Sequence, residues 1–336
     1  MERASLFIEE KGIVAGGNQL TFDIPNDFAI GRALLRARGS IAVGTANADG
    51  LHYLGSANIL ENLRIQAKGA QRMDISGRSL YIMGQMLNQQ TLPKTDPGLT
   101  QATHPIGCTF VRDFQLMKML IPWNHRGALP AHLIRDVRLI ATVAPESAVL
   151  NGAATTTLTY GAAGTSFLSL QVDQLPLASK DINDYVNEQV IDFAVDAQIL
   201  TSAGANKSIR LNTGGLYRFV GMIVEVQDAN GTYVGRNDVI TNVRIVANRT
   251  DRERARWLEL QDANALQFLW PTTQLGFAAF DWTAFAEPNE LFNADEMVLG
   301  GSDLRLVFDV SPSLTTACRL TVFTSRLFGD IVPVAA

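Results

Sequence analysis

The sequence predicts an all-β protein built from two tandem jelly-roll β-sandwich domains, each with a short helix inserted late in the strand order. The first observation is the composition and spacing of the apolar residues. Apolar residues make up 47% of the chain and occur in short runs separated by 27 glycines and 12 prolines, as in β proteins with many turns. The second is length, because 336 residues are too many for one ordinary sandwich and suit two domains. The third is an internal repeat.

The repeat is clearest in one strand-like segment. Tyr53–Ala67 returns 180 positions later as Tyr233–Ala247, with six of fifteen positions identical and most others exchanging one aliphatic residue for another. Apolar and polar residues alternate toward the end of each copy, which predicts a strand with one buried face. In the first copy we expect the inward residues to be Leu63, Ile65 and Ala67, and the outward residues to be Asn62, Arg64 and Gln66.

A second match in the same order indicates a duplication. Asp136–Pro145 resembles Asp303–Pro312, 167 positions later, and each is followed by a further β-like run, Thr155–Tyr160 and Arg319–Phe323. Two matches in the same order are hard to obtain by chance, so we infer one sandwich written twice. Because the separation falls from 180 to 167, the first copy has a net surplus of 13 residues, which we place in the long, Pro-rich connection 92–133.

A short helix is predicted between the two matches in each copy. Ser76–Leu87 begins with a serine able to cap and has apolar residues at helical spacing. Asp262–Trp270 has the same character, and Pro271 would stop it. The stretch Gly161–Gly164 is small and flexible, so we place the domains at 1–163, including the long connection 92–133, and at 164–336.

Charge is distributed unevenly along the chain. The net charge is −5, but residues 1–150 hold 15 basic and 12 acidic side chains, so the remaining residues hold 13 and 21. Neither end carries a run of Lys and Arg, so we expect no direct nucleic-acid binding. Acidic residues interrupt the apolar N-terminal residues too early for a signal peptide, and we therefore expect synthesis in the cytoplasm.

The segment that runs from the repeated strand into the helix resembles a known family. Asn62–Ala67 followed by Asp74–Tyr81, with the partners Asn242–Ala247 and Asp262–Trp270, is similar to the double jelly-roll major capsid proteins of membrane-containing icosahedral bacteriophages. The corticoviruses and Finnlake-type phages are nearest in size. The resemblance implies a homotrimer that forms pseudo-hexagonal capsomers and no catalysis. Neighbouring capsomers, penton or minor capsid proteins and an internal viral membrane would be its partners in the virion.

Two other functions are weighed against this one. A carbohydrate-binding or tail-associated tandem β-sandwich would show aromatic residues clustered on one exposed face. A degenerate bicupin enzyme would need a metal, yet the four histidines form no His-x-His pair and all lie in the first copy, at His52, His104, His125 and His132. No phosphate loop, nucleophile elbow or Cys-x-x-Cys occurs. We therefore predict no catalytic, cofactor-binding or metal-binding residues.

Several remaining features receive a structural interpretation. Cys108 and Cys318 lie among apolar neighbours and are expected to be small buried hydrophobes. The arginines at matched positions, Arg64 with Arg244 and Arg138 with Arg305, are expected to make outward salt bridges. Five acids at helix-like intervals predict a solvated helix face rather than a calcium site between subunits: Asp181, Asp184, Glu188, Asp192 and Asp196. The apolar patch Phe114–Trp123 could face a membrane, a neighbouring subunit or its own core.

Overall fold

The computed structural model describes residues 4–14, 16–44, 50–67, 70–88, 91–114, 129, 131–134, 136–151, 158–160, 166–175, 190–211, 217–229, 235–247, 249–269, 273–281 and 304–328. These residues form two compact units, the first ending with the strand that closes at Leu175 and the second beginning with the strand that opens at Val190. All paired strands run antiparallel, in two sheets per unit. The predicted all-β class is confirmed.

The first unit contains ten strands in its described part: β1 Ala4–Gly12, β2 Gln19–Ile24, β3 Ala29–Val43, β4 Leu60–Ala67, β5 Ala70–Ser76, β6 Lys94–Thr95, β7 Ala102–Asp113, β8 Val137–Val143, β9 Leu158–Tyr160 and β10 Phe167–Leu175. Its helices are α1 Gly77–Asn88 and α2 Ala131–Ile134, with 3-10 turns at Gly55–Ile59 and Glu146–Ala148. One sheet has the order β1-β10-β3-β7-β6 with β9 also paired to β3, and the other has the order β2-β8-β4-β5.

The second unit repeats this plan without counterparts of β6 and β9 among its described residues. Its strands are β11 Val190–Leu200, β12 Gly204–Arg210, β13 Tyr217–Asp228, β14 Ile240–Ala247, β15 Thr250–Arg256, β16 Phe277–Asp281, β17 Leu304–Val310 and β18 Cys318–Phe328, and its helix is α3 Trp257–Gln267. The sheet orders are β11-β18-β13-β16 and β12-β17-β14-β15. The two units thus share the eight strands of a jelly roll, and in each unit the helix lies between the fifth and sixth of these shared strands.

The two units agree down to the irregularities in their ladders. In β4 one extra residue, Glu61, interrupts the pairing with β8, and in β14 the extra residue is Thr241, 180 positions later. The edge strands β5 and β15 also contain matching bulges, at Arg72 and Arg252. A bulge shifts the facing of every residue beyond it, so shared bulges mean that the two sandwiches present the same positions to their cores.

The alternation predicted for the repeated strand is confirmed. Leu63, Ile65 and Ala67 are buried, while Asn62, Arg64 and Gln66 lie on the partly exposed outer face of the sheet. In the second copy Val243 and Ile245 are buried and pack with the strands of the opposite sheet. Each such aliphatic side chain stabilises the sandwich by about 1.5–3 kcal/mol relative to an exposed one, which sets the register strongly.

The predicted boundary at 163/164 does not match the strand pairing. The strand β10 pairs with β1 on one side and with β3 on the other, so it is an interior strand of a sheet of the first unit. The first domain therefore extends through Leu175 at least. The Gly161–Gly164 stretch, which suggested the boundary, lies outside the described residues.

The helix of the first copy was predicted closely, but the start of the second was wrong. The helix α1 covers Gly77–Asn88, and the Ser79 N–H donates to the Ser76 Oγ at 3.1 Å, so Ser76 caps it as expected. The helix α3 begins at Trp257 rather than Asp262 and ends at Gln267. Trp257 is fully buried and anchors the first turn in the core, whereas Asp262 is an exposed residue of the helix interior.

The surplus of the first copy can be narrowed to one connection. Asp113 at the end of β7 and Asp281 at the end of β16 are equivalent positions. Asp113 pairs with Arg32 and Asp281 pairs with Gly221, and each of these partners directly follows a bulge, in β3 and β13 respectively. Asp113 and Asp281 are 168 positions apart, while the first residues of α1 and α3, Gly77 and Trp257, are 180 apart. Almost the whole surplus therefore lies between α1 and the end of β7, in the first half of the predicted 92–133 connection.

Candidate functional site

In the first unit, the connection after α1 is tied to the turn before β4 by a polar cluster. The Ser56 N–H and Oγ both donate to Asp96 Oδ1 at 2.7 Å, and the Ser56 Oγ also contacts the Thr95 carbonyl. Lys94 Nζ lies 3.0 Å from Asp96 Oδ2 and donates to the Leu54 carbonyl. Burial disfavours the charged carboxylate, but the hydrogen bonds from Ser56 and Lys94 outweigh it, so the pKa of Asp96 lies below its usual value.

The second unit uses an arginine at the matched position. Arg236, 180 positions after Ser56, donates from Nε and Nη2 to Asp238, and from Nη1 to Asp228 and Thr316 at 2.7 and 3.0 Å. Hydrogen bonds to Asp238 are the main reason that the pKa of Arg236 lies above its usual value. The network joins the turn before β14 to the turn before β18, so the same position fastens loops in both copies.

A glycine precedes this position in each copy, and the structure explains both. A Cβ on Gly55 would lie 2.4 Å from Asp96 Oδ1, and one on Gly235 would lie 2.3 Å from the Leu275 carbonyl oxygen. In both copies the turn passes against the connection that follows the helix, at a distance only glycine allows. These loop anchors were not predicted from the sequence, although a glycine identical in both copies was a signal for a close approach.

The two helices are fastened to their neighbouring strand by different chemistry. In the second unit the buried Asn264 side chain donates to the Ala279 carbonyl at 2.9 Å and accepts from the Ala279 N–H at 2.7 Å. The matched residue of α1 is Gly84, where the backbone of β7 comes so close that a Cβ would lie 3.3 Å from the Val111 carbonyl oxygen. In the first copy the helix thus approaches its strand closely because Gly84 has no side chain, and in the second the Asn264 amide joins helix and strand by buried hydrogen bonds.

Arg64, Arg138 and Arg244, three of the four arginines at matched positions, form ion pairs on the outer faces of their sheets. Arg64 Nε lies 3.3 Å from Asp74, and Arg244 Nη1 lies 3.1 Å from Asp251. Arg138 contacts Asp23 at 3.2 Å. The prediction for Arg64 and Arg244 is therefore confirmed.

A small open cleft lies on the β12-β17-β14-β15 sheet, lined by Asn206, Asn242, Val243, Arg244, Arg254, Val307, Phe308 and Asp309. Asp309 accepts from the Asn206 N–H at 2.7 Å and from Asn242 Nδ2 at 3.0 Å, and Arg244 Nη2 donates to Asn206 Oδ1. The hydrogen bond from the Asn206 N–H contributes most to holding the pKa of Asp309 below its usual value.

The histidines that were considered as possible metal ligands do not form a metal site with other ligand side chains among the described residues. Within the described ranges, no group of three or more His, Cys, Asp or Glu side chains could hold a metal ion. His52 is buried, and burial lowers its pKa, whereas His104 is half-buried, with its Nε2 2.7 Å from the Thr100 carbonyl oxygen. Burial also lowers the pKa of His132, and His125 lies outside the described residues.

Both cysteines are buried free thiols, as predicted. Burial raises the pKa of Cys108 and of Cys318, so both remain protonated and unreactive at neutral pH. The prediction of a helix through Asp192 and Asp196 is wrong, because both residues lie in β11. The other three acids of that set lie outside the described residues.

The apolar patch is described only at its first residue, Phe114, which is buried. In the part of the chain that the structure describes, no helix combines the length and the hydropathy needed to cross a bilayer. The rest of the patch lies outside the described residues.

Comparison with known proteins gives a likeness in structure and none in sequence. No protein-family model and no curated protein matches the chain. The STIV major capsid protein superposes with a TM-score of 0.73 at 12% identity, over 97% of both chains. A structure of Sulfolobus turreted icosahedral virus gives 0.74 at 12% identity, over 97% of this chain and 91% of that one. The fold is the double jelly roll.

The double jelly roll also appears in a bacteriophage protein of nearly the same extent. The major capsid protein P2 of bacteriophage PM2 gives a TM-score of 0.61 at 12% identity, over 99% of both chains. The fold predicted from the resemblance is confirmed. Because identity is so low, the likeness resides in the backbone and the strand order rather than in particular side chains.

Proposed function

We propose that this chain is a major capsid protein that assembles into capsomers and tiles the icosahedral shell of a virion. The observation that carries the proposal is that two complete jelly rolls in tandem account for the described chain, and that viral capsid proteins match it over 97–99% of their own length. A chain whose described part consists of two jelly rolls is suited to a role of shape and contact.

The finer form of the proposal is a homotrimer. Three chains with two similar sandwiches each place six similar bodies around one axis, which gives a pseudo-hexagonal block that packs edge to edge. Neighbouring capsomers, penton or minor capsid proteins and an internal membrane would be its partners in the virion. The same proposal assigns the chain no catalysis, which elemental analysis for bound metal and assays of the purified protein would check.

Mass measurement and imaging test this function. Light scattering after size exclusion should give three times the chain mass, and electron microscopy of concentrated protein should show hexagonal tiles or closed particles. A strictly monomeric protein that forms no ordered assembly over a wide range of salt and concentration would contradict the proposal.

The alternative of a carbohydrate-binding or tail-associated tandem sandwich gains no specific support. It was to be recognised by aromatic side chains clustered on one exposed face. Among the described residues, the exposed large hydrophobic side chains include a single aromatic one, Phe7. A glycan-binding measurement on the purified protein would decide between the two.

A further inference from the structure

The outer side of the helix α3 and the turn that follows it carry three exposed leucines. Leu258, Leu266 and Leu269 are 58%, 80% and 66% exposed. Among the described residues they are three of the nine exposed large apolar side chains, although they lie close together in one short segment of the chain. Single exposed leucines are common on protein surfaces, whereas apolar side chains grouped on one face mark a surface that contacts another molecule.

The spacing of these residues places them on one side of the helix. Leu258, Asp262 and Leu266 follow each other at intervals of four along α3, so their side chains lie in one line on its surface. The opposite side of α3 is anchored in the core by the fully buried Trp257. A helix with apolar residues on both sides is typical of a buried helix rather than a surface helix. We call Leu258, Leu266 and Leu269 the leucine stripe.

The backbone of Leu269 is in an unfavourable conformation. Its φ is 53°, in the left-handed region, at the second position after the helix. Glycine or asparagine is usual there, because a side chain with a Cβ is strained in this conformation. The chain therefore has a leucine where folding favours glycine and solvent favours a polar side chain. Neither property benefits an isolated chain, which indicates that Leu269 serves a contact with another molecule.

The first unit contains the same helix with this side covered. The helices α1 and α3 correspond at a separation of 180 residues, which makes Arg78 the counterpart of Leu258 and Ile82 the counterpart of Asp262. Arg78 is 7% exposed and Ile82 is 1% exposed, and all residues of α1 from 77 to 85 are buried. A single copy of the chain therefore covers the outer side of this helix in one jelly roll and leaves it bare in the other.

We infer that the leucine stripe is a contact between copies, covered in the assembled protein by a second copy of this chain. The inference rests on the proposed function and adds the side chains that would join one copy to the next. In a ring of three chains, six similar sandwiches surround one axis and have similar surroundings. The side of the helix that is covered within the chain in one sandwich is then covered by the next copy in the other.

A second copy fits the leucine stripe better than a lipid surface does. Helices that lie on membranes are typically rich in Lys and Arg on their polar face. The helix α3 has neither residue between Trp257 and Gln267, and its charged residues Glu259 and Asp262 are exposed acids beside the leucines. Anionic headgroups would repel these carboxylates, whereas a protein interface combines an apolar centre with a polar rim.

The test replaces two leucines of the stripe by side chains suited to water. The double variant L258Q/L266Q keeps good helix formers at both positions and removes the apolar contact. Because both leucines are exposed in the single chain, the variant should fold normally, which circular dichroism would verify. The control V14Q/L99Q makes the same kind of change at two aliphatic side chains outside α3 that are 68% and 39% exposed.

Sedimentation velocity over a range of protein concentrations measures the dissociation constant of the assembly. We expect V14Q/L99Q to agree with wild type within about threefold. L258Q/L266Q should dissociate at a concentration at least about a hundredfold higher, because each leucine buried in an interface contributes roughly a factor of ten or more to affinity. Equal dissociation constants of L258Q/L266Q and wild type would overturn the inference and leave the proposed function intact.

The substitution Leu269→Gly gives a second readout that separates assembly from folding. Added to L258Q/L266Q, it should raise the Tm by about 2–4 °C, because glycine adopts the left-handed conformation without strain. A fall in Tm of the same size would show that Leu269 serves the folding of its own chain, and it would count against the inference.

Other outcomes separate the inference from the proposed function. Association that depends on the leucine stripe but yields no hexagonal tiles or closed particles would support the inference and contradict the capsid proposal. A wild type that stays monomeric at every concentration would overturn both. Binding of the wild type to phosphatidylcholine vesicles that is lost in L258Q/L266Q, with self-association unchanged, would assign the stripe to a lipid surface and overturn the inference.

Discussion

Replacing Gly235 by alanine tests the close crossing of backbones in the second jelly roll. The new Cβ would lie 2.3 Å from the Leu275 carbonyl oxygen and 2.9 Å from its carbon, and both atoms belong to backbone that has no rotamer to change. Relief requires the connection before β16 to move. That movement threatens the hydrogen bond from the Val226 N–H to the Gly276 carbonyl, at 2.7 Å.

The expected cost follows from these contacts. Overpacking of a rigid site costs about 1–3 kcal/mol, and a strained or lost backbone hydrogen bond adds about 1 kcal/mol. We therefore expect Gly235→Ala to lower the free energy of unfolding by about 2–4 kcal/mol. In a domain of this size that corresponds to a fall in Tm of roughly 5–15 °C.

Differential scanning calorimetry would measure the change, with Gly107→Ala as the control. Gly107 is also a glycine of ordinary backbone conformation, but a Cβ there would meet its nearest neighbour at 3.5 Å, an ordinary contact. The control should be neutral or stabilising by up to about 1 kcal/mol, because alanine restricts the unfolded chain. A Tm of Gly235→Ala within 1 °C of wild type would show that the crossing is not as tight as described.

Three further predictions concern other anchors. Asn264→Ala should lower the free energy of unfolding in urea by about 2–4 kcal/mol, because both backbone groups of Ala279 lose their buried partner. The control Asp262→Ala, on the exposed side of the same helix, should change it by no more than about 0.5 kcal/mol, and equal effects of the two variants would refute the role of the amide. The pKa of Asp96 is lowered in the folded chain, so the stability that its carboxylate provides is present above the unfolded pKa of about 3.9 and is lost as pH falls through the folded pKa. Asp96→Asn should therefore flatten the dependence of the free energy of unfolding on pH between about pH 5 and 2. An unchanged slope in that range would count against the cluster. Cys108 should react with a maleimide reagent only after unfolding, because burial raises its thiol pKa, and labelling of the native protein at the rate of a free thiol would contradict its burial.

The features of the fold that were predicted correctly from the sequence are those that the internal repeat relates to each other. The separation of 180 residues that relates Leu60 to Ile240 also relates β4 to β14, the bulges in these strands to each other, and the start of α1 at Gly77 to the start of α3 at Trp257. The start of this helix was missed because aspartate, present at Asp262, often caps helices, whereas Arg256, which precedes the helix, makes no side-chain cap. Extending the repeat from Gly77 would have outweighed the local signal.

The features that were missed depend on long-range pairing. Nothing local in Phe167–Leu175 shows that it will lie between β1 and β3, since a strand's partners are fixed by tertiary contacts rather than by its own composition. Asp192 and Asp196 misled for a related reason. A spacing of four is compatible with one face of a helix and, being even, also with one face of a strand.

The extra residue in the fourth strand of each jelly roll, Glu61 in one and Thr241 in the other, bears on the history of the molecule. The side chain has changed from acidic to neutral while the kink in the chain has stayed where it was. An irregularity shared in this way was present in the ancestral single sandwich before its gene was copied. The path of the main chain has therefore been inherited more faithfully than the side chains upon it.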